Sequence, residues 1–255
     1  LRRAIERREL RVVFQPLVDV ATLRVTGLEC LVRWEHPERG ILGPDEFLPL
    51  AEETGLIVPI GSWITATACR TLARLRALMP DAGDLAVNVN VSARQLTDPG
   101  LADEVAAVLA ETMLPPEALT LEVTETVLMD TVASGAALAR LRELGVRLAV
   151  DDFGTGWSSL RYLRSMPVDV LKIDREFVAG LGDEPADEAI VAAVIDLAHA
   201  LGLKAVAEGV EHAVQLDRLT AMRCDAVQGR LLGRPMTEPD LFESLPHIAA
   251  LSRAS

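Results

Sequence analysis

A chain of 255 residues, half of them apolar and a quarter charged, has material for one large core or two modest ones and reads as globular. Its formal charge of −13 argues against a nucleic-acid polymer as partner, because polyanions are held by basic surfaces. A small anionic substrate stays open if metal ions bring local positive charge.

Apolar, β-branched runs alternate with longer segments of helical period. Strands are expected at Arg11–Val20 and Arg24–Trp34, and the short segment around Ala21–Leu23 between them suits a hairpin. Helices Pro44–Glu53 and Gly61–Leu78 follow, then strand Leu85–Val91 and helix Gly100–Glu111. Strand Leu119–Thr124 precedes helix Thr131–Leu144, and strand Val146–Val150 precedes helix Trp157–Arg164. The last strands are Val168–Lys172, Leu203–Ala207 and Asp225–Gln228, interleaved with helices Asp187–Leu201 and Ala213–Met222. Eight strands with intervening helices in about 250 residues fit an α/β fold of the TIM (β/α)8 barrel kind. The opening hairpin modifies that scheme by making one strand antiparallel, and the barrel is preferred to a doubly wound open sheet.

The richest apolar stretch, Ile190 to Ala207, is broken by Asp196, His199 and Lys204, so no membrane contact is expected. Cys30, Cys69 and Cys224 are far apart, and the histidines His36, His199, His212 and His247 form no HExxH or His-x-His pair. Neither a disulfide framework nor a zinc cluster is expected, and a cytoplasmic compartment fits. The chain opens at Leu1 with no charged-then-apolar leader, so residues 1–255 are read as one domain cut from a longer protein.

Parallel strands buried on both faces should read as unbroken apolar runs, yet each of these carries a polar residue. Glu29 and Arg33 interrupt the second strand, Asn88 and Asn90 the third, and Glu122 the fourth; Asp151, Lys172, Glu208 and Gln228 end the later ones. Alternation puts Glu29, Leu31 and Arg33 on one face, and Asn88 with Asn90 on another shared face. Any single one is explained by a helix cap or an exposed loop, but a barrel rim would bring all of them together. Glu29, Asn90, Glu122, Asp151 and Asp152 are hard oxygen donors, which select Mg²⁺ or Mn²⁺ over zinc or copper. Two such ions per site can activate a water and stabilise the leaving oxygen of a phosphodiester. Lys172 either snorkels to solvent or orients and deprotonates that water. The Asp152-Phe153-Gly154 triplet resembles the kinase metal loop, but no glycine-rich loop or HRD element accompanies it.

Glu29-Cys30-Leu31 followed by Val32-Arg33-Trp34 resembles the Glu-Ala-Leu signature of the EAL domains, which hydrolyse cyclic di-GMP to the linear dinucleotide 5'-pGpG. The resemblance runs from Leu1 to about Leu245 and includes FQPLVD (14–19), GPDEFLPLAEETGLI (43–57), VNVSARQL (89–96), LEVTET (121–126), DDFGTGWSSL (151–160), LKIDREFV (171–178), AEGVE (207–211) and QGRLLGRP (228–235). It implies a modified barrel whose first strand is antiparallel. Carried over, it makes Glu29, Asn90, Glu122 and Asp151 ligands of one metal, with Asp151 and Asp152 engaging a second. Lys172 would help activate the water, Glu208 and Gln228 would position water and metal, and Glu125 would brace the loop after Asp152. Gln15, Leu31 and Arg33 would line the substrate, Arg33 facing a phosphate. A homodimer, and sensory or GGDEF domains elsewhere in the full-length protein, are further implications. An alternative within the same resemblance is a receptor that binds cyclic di-GMP without cutting it; an enolase-like Mg²⁺ enzyme would leave the motifs unexplained. Cys30 stands for the signature alanine, Trp157 and Arg230 for tyrosines, and Phe14 for another tyrosine. Gly154 and Gly156 are expected to bend the chain so that both aspartates face the metals, with Ser158 and Ser159 starting the next helix.

Overall fold

The computed structural model describes residues 1–79, 83–129, 131–154, 163 and 166–251. The expected helix Trp157–Arg164, apart from Leu163, lies outside the described residues, as do Gly156, Ser158 and Ser159.

Strands β1 (Leu10–Asp19) and β2 (Val25–His36) pair antiparallel. The turn between them is built by Asp19, whose Oδ1 accepts from the Thr22 backbone N–H (2.8 Å) and hydroxyl (2.7 Å), while Leu23 takes a φ of 55°. This is the hairpin expected around Ala21–Leu23. From β2 the sheet continues through β4 (Ala86–Asn90), β5 (Leu119–Thr124), β6 (Arg147–Phe153), β7 (Val170–Ile173), β8 (Lys204–Ala207) and β9 (Ala226–Val227), each parallel to its neighbour. Then β9 pairs antiparallel with β1, so the sheet closes on itself with β1 as its reversed strand. The modified barrel is therefore the observed fold. A short strand not expected from the sequence, β3 (Gly40–Leu42), extends the far end of β2; three residues are too few to carry a recognisable period.

Burial follows the pleat. Leu119, Leu121 and Val123 on β5 are at most 1% exposed and pack outward under the helices, each contributing about 1.5–3 kcal/mol relative to exposure. Cys30, on the face of β2 opposite Glu29, joins the same apolar layer as Cys69. Burial pushes the Cys69 thiol up to about 12 and drives Cys30 upward as well, so both stay neutral packing groups. The alanine-to-cysteine departure is thus absorbed by the core.

Two helix boundaries differ from expectation. The segment read as Pro44–Glu53 is a 3-10 turn at Pro44–Glu46 and a helix at Leu48–Thr54, ended by Gly55 with φ of 77°. The next helix runs Ile57–Leu78 rather than starting at Gly61. Pro59 is tolerated in its first turn, and Gly61 is interior because a Cβ there would lie 1.9 Å from Nε2 of the buried Gln95. The glycine answers a tertiary contact, which the sequence presents as a helix start. Among the described residues no helix is long and apolar enough to cross a membrane.

Past β9 the chain crosses Val210 backbone to backbone: the Val210 N–H donates to Gln228 O (3.0 Å) and the Leu231 N–H to Val210 O (3.1 Å). A Cβ on Gly229 would stand 2.0 Å from Val210 O. Gly229→Ala is therefore predicted to lower the unfolding free energy by roughly 2–3 kcal/mol, read as a lower urea midpoint; an unchanged midpoint would contradict the crossing.

Candidate active site

The parallel strands deliver their C-terminal ends to one rim, and the inward positions there meet at Lys172. Its Nζ lies 2.7 Å from Glu122 Oε2, 3.0 Å from Asp151 Oδ1 and 3.9 Å from Glu29 Oε1, and is in direct contact with Glu208. At 1% exposure Lys172 does not snorkel; strands β2, β5, β6 and β7 and the residue after β8 each send one charged group to the same point.

Neutral amides hold the acids in place. Glu29 accepts from Asn90 Nδ2 at Oε1 (3.0 Å) and from Gln228 Nε2 at Oε2 (2.6 Å). Gln228 Nε2 also donates to Gln15 Oε1 (2.9 Å), and Gln15 Nε2 donates to Gly233 O (3.0 Å). Glu122 accepts from Asn88 Nδ2 at Oε1 (2.7 Å) and from Lys172 at Oε2. Asn88, one of the strand-interrupting polar residues expected to converge at the rim but given no role there, thus belongs to this network.

Both aspartates of the pair border the cavity at the rim; of the expected glycine bend, Gly154 takes a φ of 101° and Gly156 lies outside the described residues. Along β6 and β7, Val150 faces Leu171 and Phe153 faces Ile173, so Asp151 and Asp152 together oppose Lys172 in a β-bulge. Asp152 itself takes the left-handed conformation, φ 53°, which aspartate tolerates better than most residues. The extra residue cancels the alternation that would have aimed the two apart. The carboxyl of Asp152 is hydrogen-bonded to that of Asp174, whose Oδ1 also caps the helix Arg175–Ala179 through the Glu176 N–H (2.7 Å). Asp174 was missed; its one sequence signal is its place between a strand and a helix.

Glu125 does not continue the strand but opens the helix Glu125–Met129, so helix geometry rather than pleat alternation sets its direction. It is buried, and its Oε2 accepts from the Gly154 N–H (3.3 Å). Leu31 borders a cavity of about 330 Å³ together with Asn90, Asp151 and Asp152. Arg33, on the same face of β2, borders a different cavity of about 990 Å³ with Arg11, Arg230 and Arg234. Its Nη1 donates to Val32 O (2.8 Å), and Arg230 faces Glu211 at 3.4 Å.

Electrostatics follow from four carboxylates sharing one ammonium. Burial alone would pull Lys172 down, but Glu122, Glu208, Glu29 and Asp151 more than reverse this and keep it charged. Burial, against the pull of Lys172, pushes Glu122 well above the usual carboxylate range and Glu208 to about 7. Asp152 rises to about 6 through burial, repulsion from Asp151 and its bond to Asp174. The surplus of negative charge is relieved by protons or by cations. Donor chemistry fits a hard divalent ion: every candidate ligand is an oxygen, and Gln228 Oε1 is buried without a hydrogen-bond partner beside Glu29. Among the described residues, however, no group of three acids, histidines or cysteines is arranged to hold a metal ion; Lys172 holds the centre of the acids.

A family model, the EAL domain, matches residues 1–235. The chain belongs to the EAL domain family. The EAL chain is 46% identical over 248 residues to the bifunctional diguanylate cyclase/cyclic di-GMP phosphodiesterase MucR of Pseudomonas aeruginosa, covering 96% of this chain and 36% of that protein. It is 42% identical over 263 residues to the cyclic di-GMP phosphodiesterase NbdA of the same organism, covering 100% of this chain and 33% of that one. The solved PaMucR phosphodiesterase in complex with c-di-GMP superposes with a TM-score of 0.89 at 46% identity, over 94% of this EAL chain and 97% of that one. The chain spans about a third of the length of the curated relatives it matches.

The raised Glu208 value has a stability consequence. Between its ordinary 4.5 and about 7, the folded protein holds a proton that the unfolded chain has lost, so stability is full at low pH and falls as pH rises through 7. In chelator-treated protein the unfolding free energy is predicted to drop by about 2 kcal/mol between pH 5 and 7.5 from this group. Urea titrations check it, and Glu208→Gln should flatten the slope; an equal slope in the variant would remove Glu208 as its source.

Proposed function

We propose that this EAL domain hydrolyses cyclic di-GMP to the linear dinucleotide 5'-pGpG. The observation that carries the reading is Lys172, fully buried among Glu29, Glu122, Asp151 and Glu208 at a barrel rim, in a chain similar along nearly its whole length to proteins named cyclic di-GMP phosphodiesterases. In this reading Glu29, Asn90, Glu122, Asp151 and Asp152 hold two Mg²⁺ or Mn²⁺ ions. When bound, such ions acidify a water and neutralise charge on the phosphodiester.

The chain's own groups do the rest. Lys172 Nζ, kept charged by its acids, donates to the attacking water and sets its line of approach. The Glu208 carboxylate, with a pKa brought near neutrality, a value matched to general-base work at physiological pH, takes the proton on the oxygen not held by Lys172. The water oxygen bonds to phosphorus, the P–O3' bond breaks, and the leaving oxygen regains a proton as the ring opens. Gln15, Leu31, Arg33 and Gln228 position the substrate, Arg33 offering its guanidinium to a phosphate. Glu125 braces the segment after Asp152 through Gly154. We further take the domain as a cytoplasmic homodimer that acts beside sensory or GGDEF domains of a longer protein.

Incubation with cyclic di-GMP and Mn²⁺ or Mg²⁺ should yield 5'-pGpG by chromatography, and chelation should stop it. Glu29→Ala should reduce turnover at least 100-fold while circular dichroism stays unchanged. Binding of cyclic di-GMP with no product at micromolar protein would overturn hydrolysis in favour of a receptor.

A further inference from the structure

The loop that leaves Glu208 is fastened to its neighbours by one buried amide. Gly209, with φ of 72°, lies flush on the helix Arg175–Ala179: a Cβ there would stand 2.5 Å from Arg175 Cβ. Two residues on, the Glu211 and His212 N–H groups both donate to Gln215 Oε1 (2.8 and 2.9 Å). Gln215 Nε2 donates in turn to Val178 O (3.1 Å), in that same short helix. Gln215 is 3% exposed, so its amide needs these bonds. Nothing in the proposed chemistry requires them.

The helix Arg175–Ala179 also touches the other side of the rim. The carboxyl of its cap, Asp174, is hydrogen-bonded to that of Asp152, and a Cβ on Gly154 would stand 2.9 Å from Phe177 Cε2. The helix is therefore a spacer between the segment after β6 and the loop after β8. With five residues it is too short to keep its place by its own hydrogen bonds, so its ties to other segments fix it. Gln215 serves two ends. Its Oε1 holds His212, the N-cap of the helix Ala213–Ala221, together with Glu211; its Nε2 reaches across to the spacer. The first contact is local and the second joins distant parts of the chain.

We propose that Gln215 is a positioning residue that ties the loop after Glu208 to the helix Arg175–Ala179, and so holds Glu208 and Asp152 at a fixed spacing for hydrolysis. The inference rests on the proposed hydrolysis of cyclic di-GMP, in which both acids act. A loop released from the spacer displaces Glu208, and a shift of about 1 Å in a reacting group costs up to roughly 100-fold in rate.

Gln215→Glu separates the two contacts. Its carboxylate still accepts from Glu211 and His212, at a helix N-terminus where negative charge is favoured, but it has no proton to give Val178 O. With cyclic di-GMP and Mn²⁺, this variant should lower kcat about tenfold with KM within about twofold of wild type, while circular dichroism at the assay temperature shows it folded. Phe177→Ala, at the other contact of the spacer, should also lower kcat, and the two together by less than the product of the single losses. Where the glutamate variant fails to fold, Gln215→Met, uncharged and of similar length, decides by the same split between kcat and KM. Wild-type kcat in a folded variant, or a loss confined to KM, overturns the positioning role and leaves Gln215 a local cap. A wild-type domain that makes no 5'-pGpG overturns hydrolysis itself and this role with it, and the wild-type assay tells the two failures apart.

Discussion

A lysine ammonium with almost no exposure to water is the constraint around which this barrel is arranged. Nothing apolar could surround Lys172 at acceptable cost, so the neighbouring strands each supply an acid at the matching depth. Removing one partner from a buried charge group of this kind leaves another uncompensated, at a cost of about 3–5 kcal/mol. The acids also outnumber the base, so the cluster is stable as a fold feature and still unsatisfied as a charge feature. That imbalance is what gives it chemistry.

The amides Asn88, Asn90, Gln228 and Gln15 solve a second problem. Acids crowded together repel one another and would swing apart; neutral donors hold them without cancelling the negative charge a cation would meet. Closure of the sheet makes the arrangement possible. Gln15 lies on β1 and Gln228 just past β9, so they touch only because β1 turns back antiparallel and pairs with both β2 and β9.

Local backbone geometry then sets the finer positions. The bulge at Asp151–Asp152 turns a pair that would straddle the sheet into two groups on one side, and the Asp174 carboxyl meets the second of them. Further out, Leu31 and Arg33 share a strand face but front separate cavities, so a ligand touching both must span the rim rather than fill one hollow.

Much of this was legible in the chain itself. Polar residues that break apolar strands, Glu29, Glu122 and Lys172 above all, mark the site because burial makes them improbable otherwise, and the short link at Ala21–Leu23 already requires an antiparallel first strand. Periodicity also placed most strands and long helices within a few residues. It did not place β3, too short to have a period, or the true start of the helix at Ile57, where Gly61 serves Gln95 across space. What only the tertiary structure decided were relations between distant segments: the centring of Lys172 among its acids, the bulge that aims Asp151 and Asp152 together, the Asp152–Asp174 contact, and the grip of Asn88 on Glu122. A sequence sets which groups a strand carries and which face each takes; the depth at which strands align, and hence which groups meet, follows from the register that closure imposes.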